Sequence, residues 1–292
     1  MHAPSNLRGI VAMLLAVGFF SLMDGGLKQL AGHYPPMQVA ALRGLSGLPL
    51  VLAWVAATGS VMGLLKVRWR LHLLRALLSI IMLSSFAFAL RQMPMTSAYA
   101  IFFVAPLLIT ALSVPMLGET VGPRRWSAIA IGLVGVLVVL RPTGEGVFGW
   151  AGLAVVVAAA GYALSAILVR VMHRTDSGQS MVFWMLVMTA VGASVLALPG
   201  WVPLRASDAW VIAGVGVTGF LGQVAITEAF RAGEASVVAP FEYSALAWGL
   251  GLDLLIWGVL PDGWTFVGAG IIVASGLYMV HRERVLGRRP AA

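Results

Sequence analysis

The 292-residue chain takes 60% of its positions from hydrophobic residues and only 10% from Asp, Glu, Lys and Arg, at a mean hydropathy of +0.95; a soluble domain carries about 25% charge, so a water-soluble fold is excluded. The net charge of +8 comes with no basic run interleaved with aromatics, which excludes a nucleic-acid partner. With no cysteine, disulfides, thiolate metal sites and cysteine nucleophiles are excluded too.

A bilayer core needs about 20 mainly apolar residues per helix. Cutting the chain at charged and Pro/Gly-rich breaks predicts ten spans, near 9–31, 37–57, 72–91, 96–117, 126–140, 149–171, 180–198, 209–231, 235–257 and 264–280. The first lacks a small-residue cleavage site followed by a soluble region, so it is read as a retained helix rather than a signal peptide. It carries Met23, Asp24 and Lys28, and the second carries Arg43. An ionisable side chain in hydrocarbon is disfavoured by about 2.5–3.5 kcal/mol on insertion scales, so these three need partners or water. Asp24 and Lys28 share a helix face, and pairing of Asp24 with Arg43 or Lys28 is expected. The group reads either as a structural clamp, with Lys28 reaching up to the surface, or as an outer gate or a carboxylate-binding point for substrate.

The third span carries Ser79, Met82 and Phe86, and the fourth Tyr99, Phe102, Phe103, Pro106 and Pro115. The sixth contributes Tyr162 and the eighth Gln223. The eighth also spells G-x-G-x-x-G at Gly214, Gly216 and Gly219. No strand precedes these glycines, so close helix packing explains them and a dinucleotide site does not. The ninth span carries Pro240, Glu242, Tyr243, Trp248 and Asp253. At 100° per residue Glu242 and Asp253 fall within about 20° of one face. Glu242, an acid at membrane depth, is the candidate for proton coupling.

Proline frees a backbone carbonyl, which lipid tolerates only against protein or cavity water. The fourth and ninth spans are therefore expected to line a central pathway. Met23, Ser79, Met82, Phe86, Tyr99, Phe102, Phe103, Tyr162, Gln223, Glu242, Tyr243 and Trp248 are the predicted substrate-binding set, and Asp24, Lys28 and Arg43 the gate or charge cluster. The five histidines fall in loops or at span ends. No metal site, cofactor site or catalytic constellation is expected.

With the amino terminus in the cytoplasm, fourteen of the nineteen basic residues, including Arg8, Arg75 and Arg231, fall on the inner side, three on the outer, and Lys28 and Arg43 within spans. The positive-inside rule then puts both termini in the cytoplasm. Seven tryptophans sit at span ends, where an amphipathic ring prefers the interface, while Trp248 lies mid-span. A single membrane domain of residues 1–292 is expected, with halves 1–141 and 149–281 of five spans each. An odd number of spans per half inverts the second copy. Ala89-Leu90-Arg91 parallels Ala229-Phe230-Arg231, and Trp126 with Gly132 parallels Trp264 with Gly270.

These residues resemble the drug/metabolite transporter superfamily, in its ten-helix members built from two five-helix EamA-type repeats. The resemblance rests on Lys28, the Pro35-Pro36 turn, Arg43, the stretch Ala98 to Pro106 and Leu117-Gly118-Glu119. The second half departs from it, with Val259-Leu260-Pro261-Asp262 where a Gly-Glu ending repeats and no basic residue to match Arg43. The resemblance implies an all-α inner-membrane carrier of a small molecule, most like the bacterial amino-acid exporters, including the aromatic amino-acid type. The expected function is export of amino acids or similar amphipathic metabolites by alternating access. A channel, a lipid scramblase and an integral-membrane enzyme are the competing classes; oligomeric state is left open.

Overall fold

The structure, a computed structural model, describes residues 6–58, 64, 67–118, 122–140, 149–173, 175–233 and 238–286. Among these every regular element is helical. The helices are α1 (Asn6–Ala31), α2 (Pro36–Thr58), α3 (Trp69–Leu90), α4 (Met95–Phe102), α5 (Val104–Leu117), α6 (Pro123–Leu140), α7 (Trp150–Met172), α8 (Gly178–Ala197), α9 (Ala209–Ala232), α10 (Ala245–Trp257) and α11 (Gly263–Leu286). A 3-10 segment, Ala239–Ser244, leads into α10. Seven stretches, counting Met95–Leu117 as one, are long and apolar enough to cross a membrane. With α6, the 3-10 segment plus α10, and α11, they make the ten crossings of an all-α membrane protein. Leu255, Trp150 and Trp210 are at least 80% exposed, which only lipid and its interface accommodate at this density of apolar side chains.

The two crossings expected to be broken are broken. Pro106 has no N–H for the carbonyl of Phe102, and the helix interrupts at Phe103, whose own amide keeps the regular bond to Tyr99 O at 2.9 Å. The 3-10 segment begins with Pro240 in its first turn. Both crossings end on a left-handed glycine, Gly118 at φ 70° and Gly258 at φ 63°, the conformation that a side chain disfavours. Glu119 lies outside the described residues.

Helices pair across the two halves: α1 lies along α9, α2 along α8, α3 along α7, α6 along α11, and α4 against α10. Small residues let the backbones touch. A methyl on Gly44 of α2 would stand 2.6 Å from the Cα of Ala190 in α8, and one on Gly216 of α9 would stand 2.5 Å from Ser46 O. Close packing is thus the role of Gly216, Gly219 and Gly222 in the glycine run, while a methyl on Gly214 would meet nothing.

Polar ties close both ends of the bundle. At the end away from the amino terminus, the Tyr34 hydroxyl donates to Asp208 at 2.7 Å and accepts from the Arg205 amide at 2.9 Å, while the Gln38 amide exchanges two hydrogen bonds with Val202. At the amino-terminal end, Asp176 in the α7–α8 turn accepts from Thr175 and lies 2.8 Å from His72 Nε2. Burial pushes the Asp176 carboxyl up, but hydrogen bonds from Thr175, His72 and the Arg68 amide outweigh it and hold it below the ordinary aspartate range.

Candidate functional site

A cavity of about 150 Å³ opens among α1, α2, α3, α4, α7, α8, α9 and the 3-10 segment. It reaches from Asp24 and Tyr99, toward the far end, to Val169 and Phe230, within a turn of the carboxyl ends of α7 and α9.

Its wall is built on linked aromatic rings. Tyr99 stacks on Phe86 at 6.1 Å with 12° between planes, Phe86 meets Phe102 edge-on at 5.6 Å, and Phe102 tilts against Tyr162 at 5.5 Å. The break at Phe103 lets α4 and α5 present Phe102 and Phe103 to this wall. Each end of the ladder carries a hydroxyl on a carboxylate: Tyr99 donates to Asp24 Oδ2 and Tyr162 to Glu242 Oε1, both at 2.8 Å.

Two guanidiniums share the cavity. Arg75 donates from Nε to Ser165 Oγ at 3.3 Å and from Nη1 to Met181 O at 3.1 Å. Arg43 is 2% exposed and has poorer partners, Met23 Sδ at 3.4 Å and Gln223 Oε1 at 3.5 Å, and its Nη1 has none. Among the described residues no three His, Asp or Glu side chains converge to hold a metal ion.

Toward the far end sits a clamp. Asp253 of α10, fully buried, accepts from Lys28 Nζ at 2.7 Å, from the Met95 and Thr96 amides at 3.1 and 2.7 Å, and from Thr96 Oγ1 at 2.7 Å. The Lys28 ammonium also lies 4.0 Å over the Trp257 ring. One carboxylate thereby joins α1, the start of α4 and α10.

The structure gathers ten of the twelve expected binding residues on the cavity: Met23, Ser79, Met82, Phe86, Tyr99, Phe102, Phe103, Tyr162, Gln223 and Glu242. Two are turned away. Tyr243 is buried against Phe103 at 5.1 Å, and Trp248 is 42% exposed beside Gly18. The 3-10 segment advances about 120° per residue instead of 100°, which shifts the face the ninth crossing presents; Glu242 and Asp253 still both point inward.

Asp24 forms no direct ion pair with Lys28 or Arg43, though Arg43 still acts on it electrostatically across the cavity. Asp24 is taken by Tyr99, and Lys28 is held by Asp253 at 13% side-chain exposure instead of reaching the surface. Arg75, counted among the inner-side charges, is a buried cavity residue, because it faces Ser165 of α7 across the bundle. Sequence reasoning also passed over Ser165 and Thr227. A basic residue one turn inside an otherwise apolar helix was the available signal for Arg75.

Comparison with known proteins adds the context of this geometry. The profile of the EamA-like transporter family matches the chain twice, over residues 7–141 and 149–280. The chain is 29% identical over 292 residues to a riboflavin transporter of Vibrio cholerae, covering 99% of this chain and 97% of that one. It is 27% identical over 278 residues to an S-adenosylmethionine uptake transporter of Rickettsia prowazekii, covering 95% and 94%. To the pseudopaline exporter CntI of Pseudomonas aeruginosa it is 24% identical over 271 residues, covering 91% and 94%. A crystal structure 20% identical in sequence superposes with a TM-score of 0.69 over 94% of this chain and 98% of that one, a likeness of fold alone.

Proposed function

The chain belongs to the EamA-like transporter family and is a multi-pass membrane transporter; from that premise we propose that it is a secondary carrier for a small amphipathic solute with a planar aromatic ring, working by alternating access. The observation that carries this reading is the ladder Tyr99, Phe86, Phe102 and Tyr162 with a carboxylate at each end. A flat ring lies against such a wall by stacking, and polar groups on the solute exchange with the tyrosine–carboxylate pairs. Relatives named for riboflavin and S-adenosylmethionine, each with a flat nitrogen heterocycle, support the choice of solute. Amino-acid export is the second reading, favoured by the presence in one cavity of guanidiniums and carboxylates that suit a zwitterion.

The two halves act as inverted repeats in this proposal. Replacing each crossing by its counterpart five crossings on returns the same set of helix pairs. The C-capping glycines Gly118 and Gly258 stand 140 residues apart, as do Phe103 and Tyr243, which touch. The excess of basic residues on the amino-terminal side supports an orientation with that side toward the cytoplasm, in a bacterial-type inner membrane. In that orientation the cavity runs inward and the Lys28–Asp253 clamp is the closed outer gate. Glu242 is the proton-coupling residue, its carboxylate released from Tyr162 when it takes a proton.

Liposomes containing the purified protein test this. Labelled riboflavin, S-adenosylmethionine and phenylalanine are offered with and without an imposed pH gradient, to the natural chain and to Glu242→Gln. Saturable counterflow of a ring-bearing solute, with gradient-driven accumulation lost in Glu242→Gln, is the expected result. Flux equal to empty vesicles for all three overturns the solute class; non-saturable flux without counterflow points to a channel or scramblase.

A further inference from the structure

We propose that Arg43 is the anion subsite of the cavity, and that the solute carries an acidic group, a carboxylate or a phosphate, beside its ring. This rests on the carrier reading above and names the part of the solute that the aromatic wall leaves open.

A guanidinium has five N–H donors in a rigid fork and stays protonated. Buried in a membrane protein it requires a counter-charge or a full set of acceptors. Arg43 has neither. Among the described residues no carboxylate lies within ion-pair distance of it, and its partners are a thioether at 3.4 Å and an amide oxygen at 3.5 Å, the upper limit of a hydrogen bond. Its Nη1 is buried with no partner at all. Asp24, the acid on the same wall, is engaged by Tyr99.

The surroundings keep the fork in place. Gly219 passes so close that an added methyl would stand 3.0 Å from Met23 Sδ and 3.8 Å from Arg43 Cγ, so the arginine stem is packed between α1 and α9. Gln223, which accepts from Nη2, is itself tied to Thr227. A side chain so held, with unspent donors toward a cavity, is preorganised for an oxyanion rather than waiting on a rearrangement of the protein. Arg75 differs, since its Nε and Nη1 are committed to Ser165 and Met181 O. Lys28 differs too, being neutralised by Asp253. Among the described residues Arg43 is the cation on this wall with a buried N–H group that meets no acceptor.

Two matched ligand pairs test this by equilibrium binding to the full chain in nanodiscs: riboflavin 5′-phosphate against riboflavin, and S-adenosylmethionine against its decarboxylated form. In at least one pair the acid-bearing member binds about tenfold tighter or more, the scale of a charge-assisted bond, and the pair that shows it tells phosphate from carboxylate. The preference disappears in Arg43→Gln while the acid-free member keeps its affinity. Gln223→Glu supplies an internal carboxylate of nearly the same shape to Nη2 and also abolishes the preference, a readout that holds even if Arg43→Gln fails to fold. Equal affinity within both pairs, or a preference that persists in Gln223→Glu, overturns the anion subsite and leaves the ring-binding reading standing. Inorganic phosphate and acetate separate the opposite case: stabilisation of the natural chain against heat by either, absent in Gln223→Glu, sustains the subsite even where no ring-bearing ligand binds, and no stabilisation together with no binding overturns both.

Discussion

At the scale of single residues, the polar side chains divide by what they have left to give. Asp24 and Glu242 are each matched to a tyrosine hydroxyl, Asp253 is fully occupied, and Arg43 retains unspent donors. The residue types were legible in the sequence because an ion in hydrocarbon is conspicuous. Their partners were not, because Lys28 and Asp253 are 225 positions apart and spacing within one helix says nothing of a contact between helices. Asp176 carries a prediction at this scale. Its carboxyl is held below the ordinary 3.8 in the folded chain, so the stability it contributes is complete above that ordinary value and is lost as pH falls through the lower folded value. Thermal unfolding of the natural chain against Asp176→Asn is expected to show a stability gap at neutral pH that narrows below about pH 4; a gap unchanged down to pH 3 would refute it.

At the scale of elements, the hydrophobic pattern found most crossings within about three residues, α11 running on to Leu286 past the predicted 280, and the prolines found the broken ones. What it missed is phase. A helical projection assumes 100° per residue throughout, and six residues of 3-10 geometry at Ala239–Ser244 turn Tyr243 and Trp248 off the cavity while Glu242 stays on it. Arg75 was missed for another reason: it lies near the inner end of its predicted span and was counted with the inner-side charges, whereas the fold turns it into the bundle. The clamp is the element-scale prediction. Truncating one partner of a buried ion pair leaves the other uncompensated, at about 3–5 kcal/mol. Asp253→Ala is therefore expected to loosen α10 from α1 and α4 and to favour the outward-open form. The chain has no cysteine of its own, so a single Ser97→Cys reports this cleanly. Its labelling by a membrane-impermeant maleimide from the outer side is expected to rise when Asp253→Ala is added, and unchanged labelling would count against a gate.

For the whole molecule, the set of helix pairs is what joins one half to the other, and it relies on backbones that touch. Leucine at Gly44 would drive its first carbon to 2.6 Å from the Cα of Ala190, and overpacking of this kind costs about 1–3 kcal/mol or more. Gly44→Leu is expected to lower the unfolding temperature and to reduce transport more than binding, because α2 and α8 belong to opposite halves. Retained stability and flux would show that this contact opens freely. The sequence announced that glycines were numerous and helical; which two backbones each one lets meet depends on tertiary pairing.

The ammonium over the Trp257 ring has a consequence of a different kind. A cation 4.0 Å above an indole perturbs its excited state, and in the proposed carrier the clamp that holds Lys28 there parts when the outer side opens. A gate of that kind contains its own chromophore. Emission from Trp257, isolated from the other nine tryptophans by subtracting the spectrum of a Trp257→Phe chain, follows the opening and closing of an unlabelled carrier in real time.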